Sequence, residues 1–207
     1  MIPGYWTYSG TTWDWTVLDD DHEAEVQGVA IDSNDAAVFA GARNYNLVSG
    51  MDAMYWDAAG SKHYLNPAGY TSIEVTGAAT QGTDIVTVGR YHVDSDVHTC
   101  YWVNDTLHEL VGDTPQYARA VAVKGSDILV VGECFWDGVG IWTNGTWKKL
   151  PSPDISTNHA TAIAVSGADV YVGGEINETG ELYGCFWKNG ERVDIEGCEL
   201  VYGIAVE

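Results

Sequence analysis

Two motifs that recur every 40 to 50 residues, with hairpin turns between them, predict an all-β fold: a five-bladed β-propeller with four complete four-stranded blades and a hybrid blade one strand short. The first motif is a strand of small residues. GVAI begins at Gly28, GAAT at Gly77, AVAV at Ala120, AIAV at Ala162 and GIAV at Gly203, at spacings of 49, 43, 42 and 41. The second is an aromatic strand centred on Trp6, Trp56, Trp102, Trp142 and Trp187, at spacings of 50, 46, 40 and 45. Two independent rulers with the same count, each near the length of one blade, are hard to reconcile with chance. The third observation is turn chemistry. Asn104-Asp105, Asn144-Gly145 and Asn189-Gly190 follow the Trp strands, and such pairs suit two-residue hairpins, which need positive φ.

The unit is clearest from Ala160 to Ile195: alternating AIAV, then DVYVGG, then CFW stopped by Lys-Asn-Gly, then ERVDI. One sheet of this size has two apolar faces and needs neighbours on both. In chain order, Trp6 opens on a third strand, and Ser9-Gly10 leads into an outer strand, TWDWTVL. Four complete sets follow. Their second strands read AAVFAG to Gly41, DIVTVG to Gly89, DILVVG to Gly132 and DVYVGG to Gly174. The chain ends on a first strand at Gly203. Joining the ends makes a mixed fifth blade, a Velcro closure that lacks its second strand. First and third strands of a meander run parallel, so contact across that gap needs parallel pairing, a strand from another chain, or swapping into a dimer. Self-association through the incomplete blade is the expectation.

The small residues of the first strand suit a crowded channel wall, with Ala162 and Ala164 facing one way and Ile163 and Val165 the other. At 207 residues the chain is expected to form a single domain over 1–207. Thirty Asp and Glu against nine Lys and Arg give a net charge of -21. That field repels phosphate backbones and anionic lipid, so neither nucleic acid nor membrane is expected as a partner. The first residues show no signal peptide, and localisation stays open, secretion included. Cys100, Cys134, Cys185 and Cys198 lack C-x-x-C spacing and read as small buried hydrophobes, with a Cys185–Cys198 disulfide as the alternative.

Motifs such as Phe186-Trp187-Lys188-Asn189-Gly190 and Ser166-Gly167-Ala168-Asp169-Val170-Tyr171-Val172 give a WxNG-type repeat. It resembles that of tandem-repeat β-propeller proteins of bacteria over essentially the whole chain. The blade count is similar to that of five-bladed lectin-like propellers. The resemblance implies a fold and no particular chemistry, since propellers host many activities.

The candidate ligand residues follow the glycine that closes each second strand: Arg90, Glu133 and Glu175, in register with Ala42. They enter loops on one rim, where propellers gather ligands. Asp20 and His22 belong to a link on that rim. The repeating Trp residues read as core between sheets, whereas Trp13, Trp15, Trp136 and Trp147 fall outside the repeat and suit an exposed surface. His92-Val93-Asp94-Ser95-Asp96-Val97-His98 carries metal-ligand residue types. A hairpin tip at 94–96 would oppose His92 and His98 and bring Asp94 near both, although a solvated loop is the plainer reading. No nucleophile elbow, H-E-x-x-H or phosphate loop is present, and no cofactor is expected. These features point to a noncatalytic binding or interaction module for a protein, peptide or glycan ligand. The alternatives are a glycan-binding lectin-like propeller, and a hydrolase or lyase using rim acids or a metal.

Overall fold

The computed structural model describes residues 3–18, 24–44, 51–110, 116–153 and 157–206, and every regular element among them is a β-strand. Strands β1 (Gly4–Tyr8) and β2 (Trp13–Val17) form an N-terminal hairpin. Four antiparallel meanders follow. Sheet I comprises β3 (Ala24–Ile31), β4 (Ala37–Asn44), β5 (Met51–Trp56) and β6 (Lys62–Tyr64). Sheet II comprises β7 (Ser72–Gln81), β8 (Asp84–Val93), β9 (Asp96–Val103) and β10 (Thr106–Glu109). Sheet III contains β11 (Gln116–Lys124), β12 (Asp127–Cys134), β13 (Gly138–Thr143) and β14 (Thr146–Lys149). Sheet IV contains β15 (His159–Ser166), β16 (Asp169–Glu178), β17 (Glu181–Lys188) and β18 (Glu191–Asp194). The architecture is thus all-β and propeller-like, with each meander laid against the next through its first strand.

The two halves of the sequence repeat are tied to each other. Asn104, Asn144 and Asn189 hold the third-to-outer turns at φ of 51°, 50° and 53°. Their side-chain oxygens accept the backbone N–H of Ile85, Ile128 and Val170 at 2.9–3.0 Å. Their amide nitrogens donate to Asp84, Asp127 and Asp169, the residues that open the second strands. The Asn of one motif and the Asp of the other, about 20 positions apart in sequence, form one clasp.

Every first strand carries a bulge before its small-residue run, between Val26 and Gly28, Val75 and Gly77, Ala118 and Ala120, and Ala160 and Ala162. The bulge drives a carbonyl toward the neighbouring second strand. A Cβ on Gly41, Gly89, Gly132 or Gly174 would meet the carbonyl oxygen of Glu25, Glu74, Tyr117 or His159 at 1.8–2.0 Å. Only glycine fits there.

The core lies between sheets. Trp56, Trp102, Trp142 and Trp187 are at most 1% exposed, as the aromatic ruler predicts, and each belongs to an apolar cluster. Truncating one such ring to Ala costs about 3–5 kcal/mol. Close approach of first strands also needs small residues: a Cβ on Gly28 would lie 2.6 Å from the Ala78 nitrogen. Side chains bridge successive sheets, with Thr80 Oγ1 donating to Ile31 O, Gln81 Nε2 to Gly125 O and Lys124 Nζ to Ala168 O.

The ends depart from the expected closure. The hairpin packs on sheet I, where Tyr5 stacks on Phe39 at 4.4 Å and Leu18 joins the Met54–Trp56 cluster. The predicted strand at Gly203 is not a strand. The tail lies on sheet IV in the place of a first strand: Thr161 Oγ1 donates to Val201 O, as Thr76 Oγ1 donates to Ala118 O between sheets II and III. Val201 and Ile204 cover Gly173. Among the described residues no strand pairing joins hairpin and tail, so the mixed sheet is not formed. The physical reason is the absent second strand, the only element antiparallel to both. Trp6 shows the consequence: it is 60% exposed where its four counterparts are buried.

The cysteines are thiols. Cys100, Cys134 and Cys185 are buried and Cys198 is half-buried, so the alternative Cys185–Cys198 disulfide is not formed.

Candidate functional site: a cleft across three sheets

The bulges and their glycines place one pair of residues at the same point of each sheet. Register opposes Glu25 to Ala42, Glu74 to Arg90, Tyr117 to Glu133 and His159 to Glu175. Sheets II to IV bring their pairs around a cleft of about 420 Å³ lined by Glu74, Arg90, Tyr117, Arg119, Phe135 and His159, among others. The chain has four Arg, and two of them meet here.

Glu133 is the anchor. It is 4% exposed, and Arg119 grips it with Nε at 3.0 and 3.3 Å from the two carboxylate oxygens and Nη2 at 2.5 Å from Oε1. His159 Nδ1 approaches the same Oε1 at 3.3 Å, and its Nε2 lies 3.8 Å from Glu175. A buried carboxylate held this way is matched by the Arg119 cation and, when the imidazole is protonated, by His159 as well. The hydrogen bond to Glu133 is the main reason that the His159 imidazole titrates above its usual value, with burial and the Arg119 charge acting against it. The same carboxylate keeps the Arg119 guanidinium charged. Arg90 pairs with Glu74 at 2.8 Å. The Arg90 and Arg119 guanidinium carbons lie 4.8 and 5.5 Å from the centre of the Tyr117 ring, which fixes their planes.

Of the sequence candidates, Arg90 and Glu133 line this cleft and Glu175 stands behind His159. Trp136 is 69% exposed at the β12–β13 turn, edge-on to the cleft residue Phe135. Trp13 and Trp15 are exposed, and Trp147 is half-buried with its Nε1 donating to Asp137. Asp20 and His22 fall outside the described residues.

His92, Asp94 and His98 do not assemble as the sequence suggested. The turn has two residues, Asp94 (φ 53°) and Ser95, rather than three. Register therefore opposes His92 to Val97 and His98 to Tyr91. Cross-strand partners share a face and neighbours alternate, so the two imidazoles point to opposite faces. His98 stacks on Tyr91 at 4.8 Å, with Nδ1 3.4 Å from Glu109. Among the described residues no three His, Cys, Asp or Glu side chains form a metal cluster.

Sequence reasoning missed Glu74, Tyr117, Arg119 and His159. A signal was present for three of them, since Glu74, Tyr117 and His159 each stand three residues before the small-residue ruler. Arg119 sits in the bulge, which strict alternation does not anticipate.

No protein-family model matches the chain, and no curated protein matches it. Solved structures similar to it include the computationally designed Ika4 protein, at 18% identity over 81% of this chain and 93% of that one, with a TM-score of 0.43. The computationally designed Ika8 protein is 16% identical over 90% of this chain and 66% of that one, with a TM-score of 0.45. The WD40 β-propeller domain of Doa1 is 13% identical over 98% of this chain and 78% of that one, with a TM-score of 0.38.

Proposed function

We propose that the chain is a noncatalytic binding module whose ligand occupies the cleft across sheets II, III and IV. The observation that carries this reading is the convergence of equivalent positions from three consecutive sheets on one cavity. A repeat with no ligand to hold has no need to place Arg, Tyr and His at the point where sheet I has Glu25 and Ala42. The state of Glu133 favours binding over hydrolysis. Its carboxylate is buried and engaged by Arg119 and His159, whereas a general acid or base must reach the substrate. Burial of four of the five repeating Trp likewise disfavours a lectin with one aromatic platform per blade.

The experiment is calorimetric titration with small carboxylic acids, monosaccharides and short peptides, with mass spectrometry of the same mixtures. Saturable binding without turnover, abolished in Tyr117→Ala, supports the reading. Turnover of any compound counts against it.

The five-bladed count belongs to the same proposal. The hairpin supplies a third and an outer strand, the tail occupies the place of a first, and a second copy of the chain covers the exposed hairpin rings of Trp6, Trp13 and Trp15. Light scattering that rises from monomer to dimer with concentration, and stays at monomer in Trp6→Ser, supports this arrangement.

A further inference from the structure

Taking the cleft as a binding site, we infer that its ligand presents a carboxylate, received by the free edges of Arg90 and Arg119 beside Tyr117. A guanidinium carries five N–H donors in a rigid fork. Arg90 commits only Nε, to Glu74, and Arg119 commits Nε and Nη2, to Glu133. Among the described residues, neither Nη of Arg90 nor Nη1 of Arg119 has a hydrogen-bond acceptor. Both side chains line the cavity, 30% and 40% exposed.

The cleft therefore offers more directional donors than it holds acceptors, and the ligand must bring oxygens. Charge supports a single carboxylate over a polyanion. With His159 protonated, Arg90, Arg119 and His159 are balanced by Glu74, Glu133 and Glu175, while the chain as a whole carries -21. The cleft is thus locally neutral on a strongly acidic body, and each added negative charge meets repulsion. A planar carboxylate also fits the guanidinium edge through two parallel bonds. Phe135 supplies an apolar wall for the carbon skeleton.

Two sources carry this chemistry, a sugar acid and an acidic peptide side chain, and the test separates them. The probes are D-glucuronate against D-glucose, and N-acetyl-aspartate methylamide against the asparagine analogue, titrated into the full chain at pH 6 and pH 8.5. The expected result is that one acid binds at least about tenfold more tightly than its neutral partner. Its affinity falls at the higher pH, because His159 loses its proton in the company of Glu133, Glu175 and Arg119. Arg90→Gln abolishes the preference with an unchanged melting temperature, and Arg90→Lys restores only part of it. Acid and neutral partner binding alike overturns the carboxylate inference and leaves the cleft as a binding site. Binding of all four probes that survives Tyr117→Ala overturns the cleft itself, and absence of binding by all four overturns the inference and the reading beneath it.

Discussion

Replacing Glu133 by Gln tests the anchor of the cleft. Gln keeps the shape but turns one oxygen into a donor that faces the donors of Arg119 and His159. Breaking a fully buried ion pair costs about 3–5 kcal/mol. Here the Arg119 side chain is 40% exposed and that of His159 33%, so water recovers part of the loss and about 2 kcal/mol remains. For a domain of this size that corresponds to a fall of about 4–8 °C in melting temperature. The pH dependence has a fixed sign. Folding raises the His159 pKa, mainly through Glu133. Its contribution is therefore complete below the unfolded value, near 6.5 for histidine, and is lost as pH rises through the folded value. Thermal melts followed by circular dichroism from pH 5.5 to 8.5 should show the wild-type advantage over Glu133→Gln shrinking as pH increases. A gap below about 1 °C, or a gap constant across that range, would refute the anchoring role.

Three further outcomes are expected. Gly132→Ala forces a Cβ to within 1.8 Å of the Tyr117 carbonyl; it should lower the melting temperature and weaken ligand titration together, whereas Gly203→Ala, with nothing within 4 Å, should change neither. Asn144→Ala removes the bonds to Ile128 and Asp127 and puts an ordinary residue at φ 50°, a loss of about 1–2 kcal/mol in denaturant titration. In a thiol-reagent assay Cys198 should react first, because burial pushes the Cys185 thiol up to about 12 and raises Cys100 well above its usual value.

Much of the fold was legible because its devices are local. The Asn of the turns in sheets II to IV and the Gly of each second strand are dictated by backbone geometry within a few residues, and the Trp ruler marks the core directly. The candidate cleft was legible in part. Arg90, Glu133 and Glu175 share a repeat position, which marks two residues of the cleft lining and the neighbour of His159. Their partners lie on a different strand, and pairing depends on a bulge that shifts register. The His92–His98 expectation failed on parity: a two-residue turn in place of three slips one strand by a residue against the other, so the two imidazoles no longer share a face. Ring closure was the least legible feature. Counting strands shows that one is absent, and only the packing of Tyr5, Val201 and Trp6 shows that hairpin and tail remain apart.

The Asn–Asp clasps have a consequence for how such a chain can grow. Each latch begins and ends inside its own sheet, as Asp84 with Asn104 or Asp169 with Asn189. A cut made between sheets severs none of them. Whole periods can therefore be inserted or excised at the joints without unfastening the survivors, while the pocket ties three particular neighbours into a block that must travel together.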